Sequence, residues 1–320
     1  MGLQIPSFTY PGLSPSELFE RVSDIAVTAE DNGFDSVFVM DHFYQLPMIG
    51  HPEENMFEAY TLLSAIAACT HTVRLGCMVG SMTYRNPALL AKTVSCLDVI
   101  SKGRAIWGIG AGWFEKEHDE YGFEFGSFSD RFEKLEEGLQ IAKSMFVNDT
   151  TTFDGKWFHV KDALNAPKPI QPGGPPILIG GSGERKTLRM VAQYGDACNV
   201  FGDAEEVHRL MAVLDEHCQR LGRNPKEICR TKLATLFVGR TMEEAQKKLS
   251  VRLGGASVDS LPPDIQVRVK SFIVGDADTV GSEVQALLDA GLDGIVCNMP
   301  DAFDLDAVAM AGTVLGKVFT

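Results

Sequence analysis

The chain predicts a (β/α)8 barrel carrying inserted segments, and three observations lead there. Short, nearly continuous apolar runs alternate with helix-length amphipathic ones through eight units. Apolar runs of that kind suit a parallel sheet covered by helices on its faces. No strong linker and no repeat of fixed period breaks the 320 residues, so they read as one domain, 1–320, with an insertion and β-hairpin around 150–175. The count of eight favours a closed barrel over a doubly wound sheet.

In chain order, "GLQIPSFTY" is the first strand. The helix after it takes Ser14 as N-cap, Pro15 in its first turn and Gly33 as its close. Strand two runs over 35–40, a helix spans 57–69, and strand three is "VRLGCMV" at 73–79. Asn86-Pro87 and Gly103 bracket the next helix, with Leu90, Val94, Leu97 and Ile100 on one face. "RAIWGIG" is strand four, and Phe132, Leu135, Leu139, Ala142 and Phe146 trace the helix beyond it. Asp154-Gly155 marks a hairpin outside the barrel. "PILIGG", "DACNVFG", "CRTKLATLFVG" and "DGIVCNM" complete the eight strands, and "SFIVGD" is a short extra one.

The formal net charge is −14, and 45% of the residues are hydrophobic. Phosphate neutralisation needs a basic face, so a nucleic acid or an anionic membrane surface is not expected as a partner. No apolar stretch approaches the ~18 residues of a spanning helix. "MGLQIPSFTYPG" has neither the basic nor the apolar region of a signal peptide. The seven cysteines form no C-x-x-C pair and lie mostly in apolar segments, as reduced packing residues would. A soluble cytoplasmic protein is expected. The seven histidines are scattered and strand one has none, so no metal site is expected.

Barrel enzymes build their sites at the C-terminal ends of the strands. There this chain places Asp41-His42-Phe43 after strand two, "GCMVGSMTYRNP" in three, "GIGAGW" in four, "GGSG" after five and "NVFG" in six. Glycine lets a planar ligand or phosphate oxygens approach the backbone, and helix N-termini beyond favour negative charge. Each cluster alone reads as a tight turn, and His42 alone as an ordinary satisfied histidine. Their coincidence at one end of the barrel points to a phosphate-bearing cofactor across its mouth. A dinucleotide fingerprint is rejected, because Trp113 and Lys186 stand where the third glycine belongs.

Taken together, "FDSVFVMDHF", the stretch from "VRLGCMVG" to "GIGAGW", and "PPILIGGSGERKTLRMVAQYGDACNVFG" resemble the bacterial luciferase-like flavin and deazaflavin oxidoreductases over essentially the whole chain. "MDHF" resembles the branch using the deazaflavin coenzyme F420. The resemblance implies a homodimeric barrel enzyme acting on a small organic substrate, with the cofactor ring at the C-terminal mouth. It implies His42 as proton donor or acceptor, Asp41 at the polar edge of the ring, and a non-prolyl cis peptide at Met78-Val79 behind it. Gly110, Ala111, Gly112 and Trp113 would line the ring and side chain. Gly180, Gly181, Ser182 and Gly183, with Asn199, Phe201 and Gly202, would receive the phosphate.

In the sugar-phosphate dehydrogenases of this group a glutamate acid follows G-x-G, and here that residue is Trp113, with Glu115 and Glu117 close by. The change implies a more apolar substrate pocket, shaped with Phe43, Tyr44 and Tyr84. Arg185, Lys186 and Arg189 are candidates for the anionic tail of F420. Two alternatives stay open: a reduced-FMN monooxygenase on the same scaffold, and a non-catalytic flavin-binding barrel.

Overall fold

A computed structural model describes residues 1–319, apart from the side chain of Asp264. Eight parallel strands close on themselves: β1 (Gly2–Ile5), β2 (Ser36–Val39), β3 (Arg74–Cys77), β4 (Ala105–Gly110), β5 (Ile177–Gly180), β6 (Ala197–Val200), β7 (Cys229–Val238) and β8 (Gly294–Asn298). Closure is made by β8 on β1, where Gly2 pairs with Val296 and Gln4 with Asn298. The expected (β/α)8 architecture is therefore present.

The helices form the outer layer: α1 (Leu18–Asp31), α2 (Ala59–Cys69), α3 (Pro87–Ile100), α4 (Glu115–Tyr121), α5 (Phe128–Val147), α6 (Thr187–Tyr194), α7 (Ala204–Leu221), α8 (Met242–Arg252), α9 (Pro263–Lys270), α10 (Ala277–Asp289) and α11 (Leu305–Gly316). In α1 the buried residues Leu18, Val22, Ile25, Ala26 and Ala29 recur with helical spacing, which gives the helix one apolar stripe to lay on the sheet. Strand side chains alternate between two cores. Val37 and Val39 point outward into the large helix–sheet core, whereas Phe38 points inward beside Met78, Leu178, Ala197 and Val296.

Boundaries moved where local chemistry dictates. β1 stops before Pro6, which has no N–H to continue a ladder. β3 stops at Cys77; the Met78–Val79 peptide that follows is cis, and pairing resumes when Gly80–Ser81 joins β4. Asn86 caps α3 by accepting from the N–H groups of Ala88 and Leu89. Ile100, expected on the buried stripe of α3, is 48% exposed. Ten residues beyond Leu90 the helix has turned to about 80° from that residue's direction, which carries Ile100 off the seam.

The hairpin stands apart from the barrel, pairing Thr150–Asp154 with His159–Leu164. Its turn is held by Glu137 of α5, whose carboxylate accepts from the N–H groups of Lys156, Trp157 and Phe158. The short strand anticipated in "SFIVGD" is Ile273–Gly275, parallel to the far half of β7. No helix of the described residues is long and apolar enough to cross a membrane.

Candidate active site

A cavity of about 490 Å³ opens at the C-terminal end of the barrel. Asp41, His42, Met78, Val79, Tyr84, Gly110, Ala111, Gly112, Trp113, Gly180, Gly181, Asn199 and Phe201 all line it, although they come from five different strand ends. Ser182, Gly183, Gly202, Phe43 and Tyr44 stand outside its wall.

His42 is anchored from behind. Its Nδ1 lies 2.8 Å from Glu117 Oε2, and the ring meets Trp113 and Phe114 edge-on at 5.8 and 5.9 Å. Glu117 comes from α4 and is wholly buried. Besides His42 it accepts from Phe43 N (2.6 Å), Tyr44 N (3.0 Å) and the Tyr84 hydroxyl. Burial by itself raises a carboxyl's proton affinity; here the bonds from His42, Tyr84 and Tyr44 outweigh it and hold Glu117 below its usual range. An ionised carboxylate can only accept, so Nδ1 carries the hydrogen and Nε2 is the ring nitrogen left for the cavity.

Those same bonds explain Phe43 and Tyr44. With their amides turned toward Glu117, Phe43 stacks on Tyr121 at 4.5 Å and Tyr44 packs against the same ring at 5.6 Å. They brace the wall from outside, while Tyr84 and Trp113 face the cavity. The neighbouring His118 is structural: its two ring nitrogens hold Phe114 O and Thr83 Oγ1, tying α4 to the loop after β3.

Asp41 has its own partner. Its carboxylate receives Arg85 in a two-pronged pair, at 2.7 and 2.8 Å, and accepts the N–H of Ser81 at 3.2 Å. Arg85 also reaches Glu58 and lies over the Tyr60 ring. On the cavity wall, Gln4 donates to Met78 O at 3.0 Å and accepts from Asn298 at 2.7 Å, which fixes the carbonyl at the cis peptide.

The glycines make room less for a ligand than for this bulge. A Cβ on Gly180 would lie 2.8 Å from Val79 Cγ2, and one on Gly110 would lie 3.2 Å from the same methyl. Val79 thus seats between two strand ends and presents its other side to the cavity. At the β5 end the chemistry belongs to the backbone. Gly181 has φ +122° and donates to Asn199 O. Among the described residues, the N–H groups of Ser182 and Gly183 that follow donate to no protein acceptor, and α6 begins just beyond with Thr187 on the cavity wall. Free amides before a helix N-terminus fit a phosphate. Ser182 Oγ accepts from Phe201 N at 2.9 Å, locking the β5 and β6 loops together.

Of the three cations considered for an anionic tail, Arg189 is committed to Glu136 and Lys186 packs over Phe128 and Phe132, leaving Arg185 exposed. No cluster of His, Cys, Asp and Glu able to hold a metal occurs among the described residues.

The model of the luciferase-like monooxygenase family matches residues 1–262. The chain belongs to that family. It is 30% identical, over 87% of each chain, to an F420-dependent glucose-6-phosphate dehydrogenase of Amycolatopsis mediterranei. It is 29% identical, over 88% of this chain and 87% of the other, to the enzyme of the same description from Kineococcus radiotolerans. In structure it superposes on the F420-dependent tetrahydromethanopterin reductase of Methanopyrus kandleri with a TM-score of 0.77 at 19% identity, covering 100% and 99% of the two chains. The same luciferase-like fold is shared with a monooxygenase from Streptomyces bottropensis, at TM-score 0.82 and 19% identity over 100% and 99%.

Residues outside the sequence-based site complete it: Glu117 and Arg85 behind the wall, and Gln4, Asn298 and Arg268 on it. Position in the chain hinted only at Glu117 and Arg85, which sit within a few residues of "GIGAGW" and "GSMTY".

Proposed function

We propose that this luciferase-like protein is an F420-dependent oxidoreductase moving a hydride between the deazaflavin and a small organic substrate with an apolar body. The observation that carries the reading is His42 held against buried Glu117 with Nε2 free at the cavity wall. The F420-dependent relatives support the cofactor, and the free amides at Ser182 and Gly183 fit its phosphate.

When bound, the deazaflavin supplies the two-electron transfer. The chain's residues do the rest. Ser182 and Gly183 would hold the phosphate; Gly181 shapes the turn, and its N–H donates to the main-chain oxygen of Asn199. Val79 and Ala111 would give the ring an apolar seat, and Trp113 on the same wall would screen it from water. His42 takes or gives the proton that accompanies the hydride, at Nε2, and Glu117 stabilises the ring when it is charged. Asp41, paired with Arg85 and accepting the Ser81 N–H, ties the loop after β3 to the end of β2 beside His42. Leu46, Met48, Ile49 and Leu233 on the same wall support an apolar substrate body.

The test is a parallel titration of apoprotein with F420 and FMN. F420 should bind at least ~10-fold more tightly, a difference of ~1.4 kcal/mol; a preference for FMN of that size would move the protein to the oxygen-activating alternative. With a turned-over substrate, His42→Asn should lower the rate ~100-fold while F420 affinity stays within a small factor. An unchanged rate would remove His42 from the chemistry.

A further inference from the structure

The cavity has a charged corner that neither hydride transfer nor the phosphate cradle uses. Arg268, on α9, lines the wall and is half-buried. Its guanidinium makes no hydrogen bond or ion pair with any described residue, in a chain with 43 acidic and 29 basic side chains. Its charged neighbour is another cation, Arg252. Burial first, and Arg252 second, disfavour the charge on Arg268. Among the described residues, the surplus of carboxylates has not supplied one here. A half-buried arginine with no counter-charge among the described residues is costly unless something that enters the cavity provides it.

Position says which molecule brings the charge. Gly254 and Gly255, at φ +63° and +81°, turn the chain after α8, and α9 beyond them brings Arg268 to the cavity wall. Arg252 then donates to the carbonyls of Met48 (3.1 Å) and Ile49 (2.6 Å), fastening this segment to the loop after β2. That loop follows His42 directly and contributes Leu46, Met48 and Ile49 to the wall. The phosphate cradle belongs instead to the ends of β5 and β6. Arg268 thus enters the cavity on a segment that Arg252 ties to the apolar residues of the loop after β2.

We propose that Arg268 is the carboxylate-binding residue of a substrate subsite, so that the substrate is a small organic acid with an apolar body. A guanidinium matches a carboxylate through two parallel bonds, and the apolar side chains beside it suit a chain of carbons leading from the carboxylate toward His42. Arg252 positions the subsite by clamping the loop. This rests on the redox reading of the same cavity and narrows its substrate class.

The probes are hexanoate, its neutral counterpart hexanamide, and inorganic phosphate, titrated calorimetrically into the full-length protein with and without F420. Hexanoate should bind at least ~10-fold more tightly than hexanamide. Arg268→Gln should abolish that preference, Arg268→Lys should keep part of it, and F420 affinity should be the same in all three proteins. Equal binding of hexanoate and hexanamide overturns the proposal. So does tighter binding of phosphate than of hexanoate, or a loss of F420 affinity in Arg268→Gln, which would give the arginine to the cofactor's tail. If F420 fails to bind while the Arg268-dependent preference persists, the cofactor reading falls and the carboxylate subsite stands.

Discussion

The two ends of the cavity are built from different materials. At the β2 end, the proposed function rests on buried charges: Asp41 on Arg85, and His42 on Glu117. At the β5–β6 end it rests on main-chain N–H groups and on glycines that leave room for Val79. A proton must be held at one atom, which calls for side chains locked by partners. A phosphate needs only donors converging on a point, and backbone supplies these without adding a charge. The charged end should accordingly be sensitive to the loss of single atoms, and the cradle to added bulk.

The largest effect should come from Asp41→Ala. It leaves Arg85, only 13% exposed, with Glu58 as its remaining carboxylate. Removing one partner of a buried pair costs about 3–5 kcal/mol, read as a lower urea midpoint at unchanged m-value. A loss under ~1 kcal/mol would show that Glu58 alone suffices and that Asp41 is free for the ligand.

Glu117→Gln comes next. With a turned-over substrate the rate should fall ~100-fold, because an amide has no charge to balance a protonated His42 and only one accepting oxygen for four donors. The variant also carries a signature in acid. The folded-state proton affinity of Glu117 lies below its ordinary value of 4.5, so its contribution to stability is present above that value. It is lost as pH falls through the lower folded value. The wild type should therefore lose stability more steeply than Glu117→Gln below about pH 4.5. Parallel acid curves would mean that the carboxylate is not anchored as described.

The smallest effect should be Gly180→Ala, which pushes a methyl toward Val79 Cγ2. The expected cost is about 1–3 kcal/mol of stability, with F420 affinity reduced and the pH dependence of turnover unchanged. A shifted pH profile would show that the two ends are coupled through the bulge, and the contrast between them would fail.

Much of this was legible in one dimension. Strand and helix order follows from side-chain periodicity, which is local, and so does the arrival of Asp41-His42 at a strand end. The glycine clusters marked the cradle because a missing Cβ is visible in the letters. Their purpose was less visible, since a glycine does not say whether a ligand or Val79 fills the space. Phe43 and Tyr44 read as pocket residues from their proximity to His42. Their direction was decided by Glu117, a carboxylate that pulls both amides away from the cavity.

The sequence by itself determined the barrel, the end of it where the cavity opens, and the histidine offered there. Only the tertiary structure decided what those groups are bonded to. Glu117 meets His42 across 75 residues, Arg85 meets Asp41 across 44, and Arg252 reaches Met48 across 204. Secondary structure depends on neighbours within a turn or a strand pair. The pairing of buried charges depends on where separate loops come to rest, and that is settled only when the barrel closes.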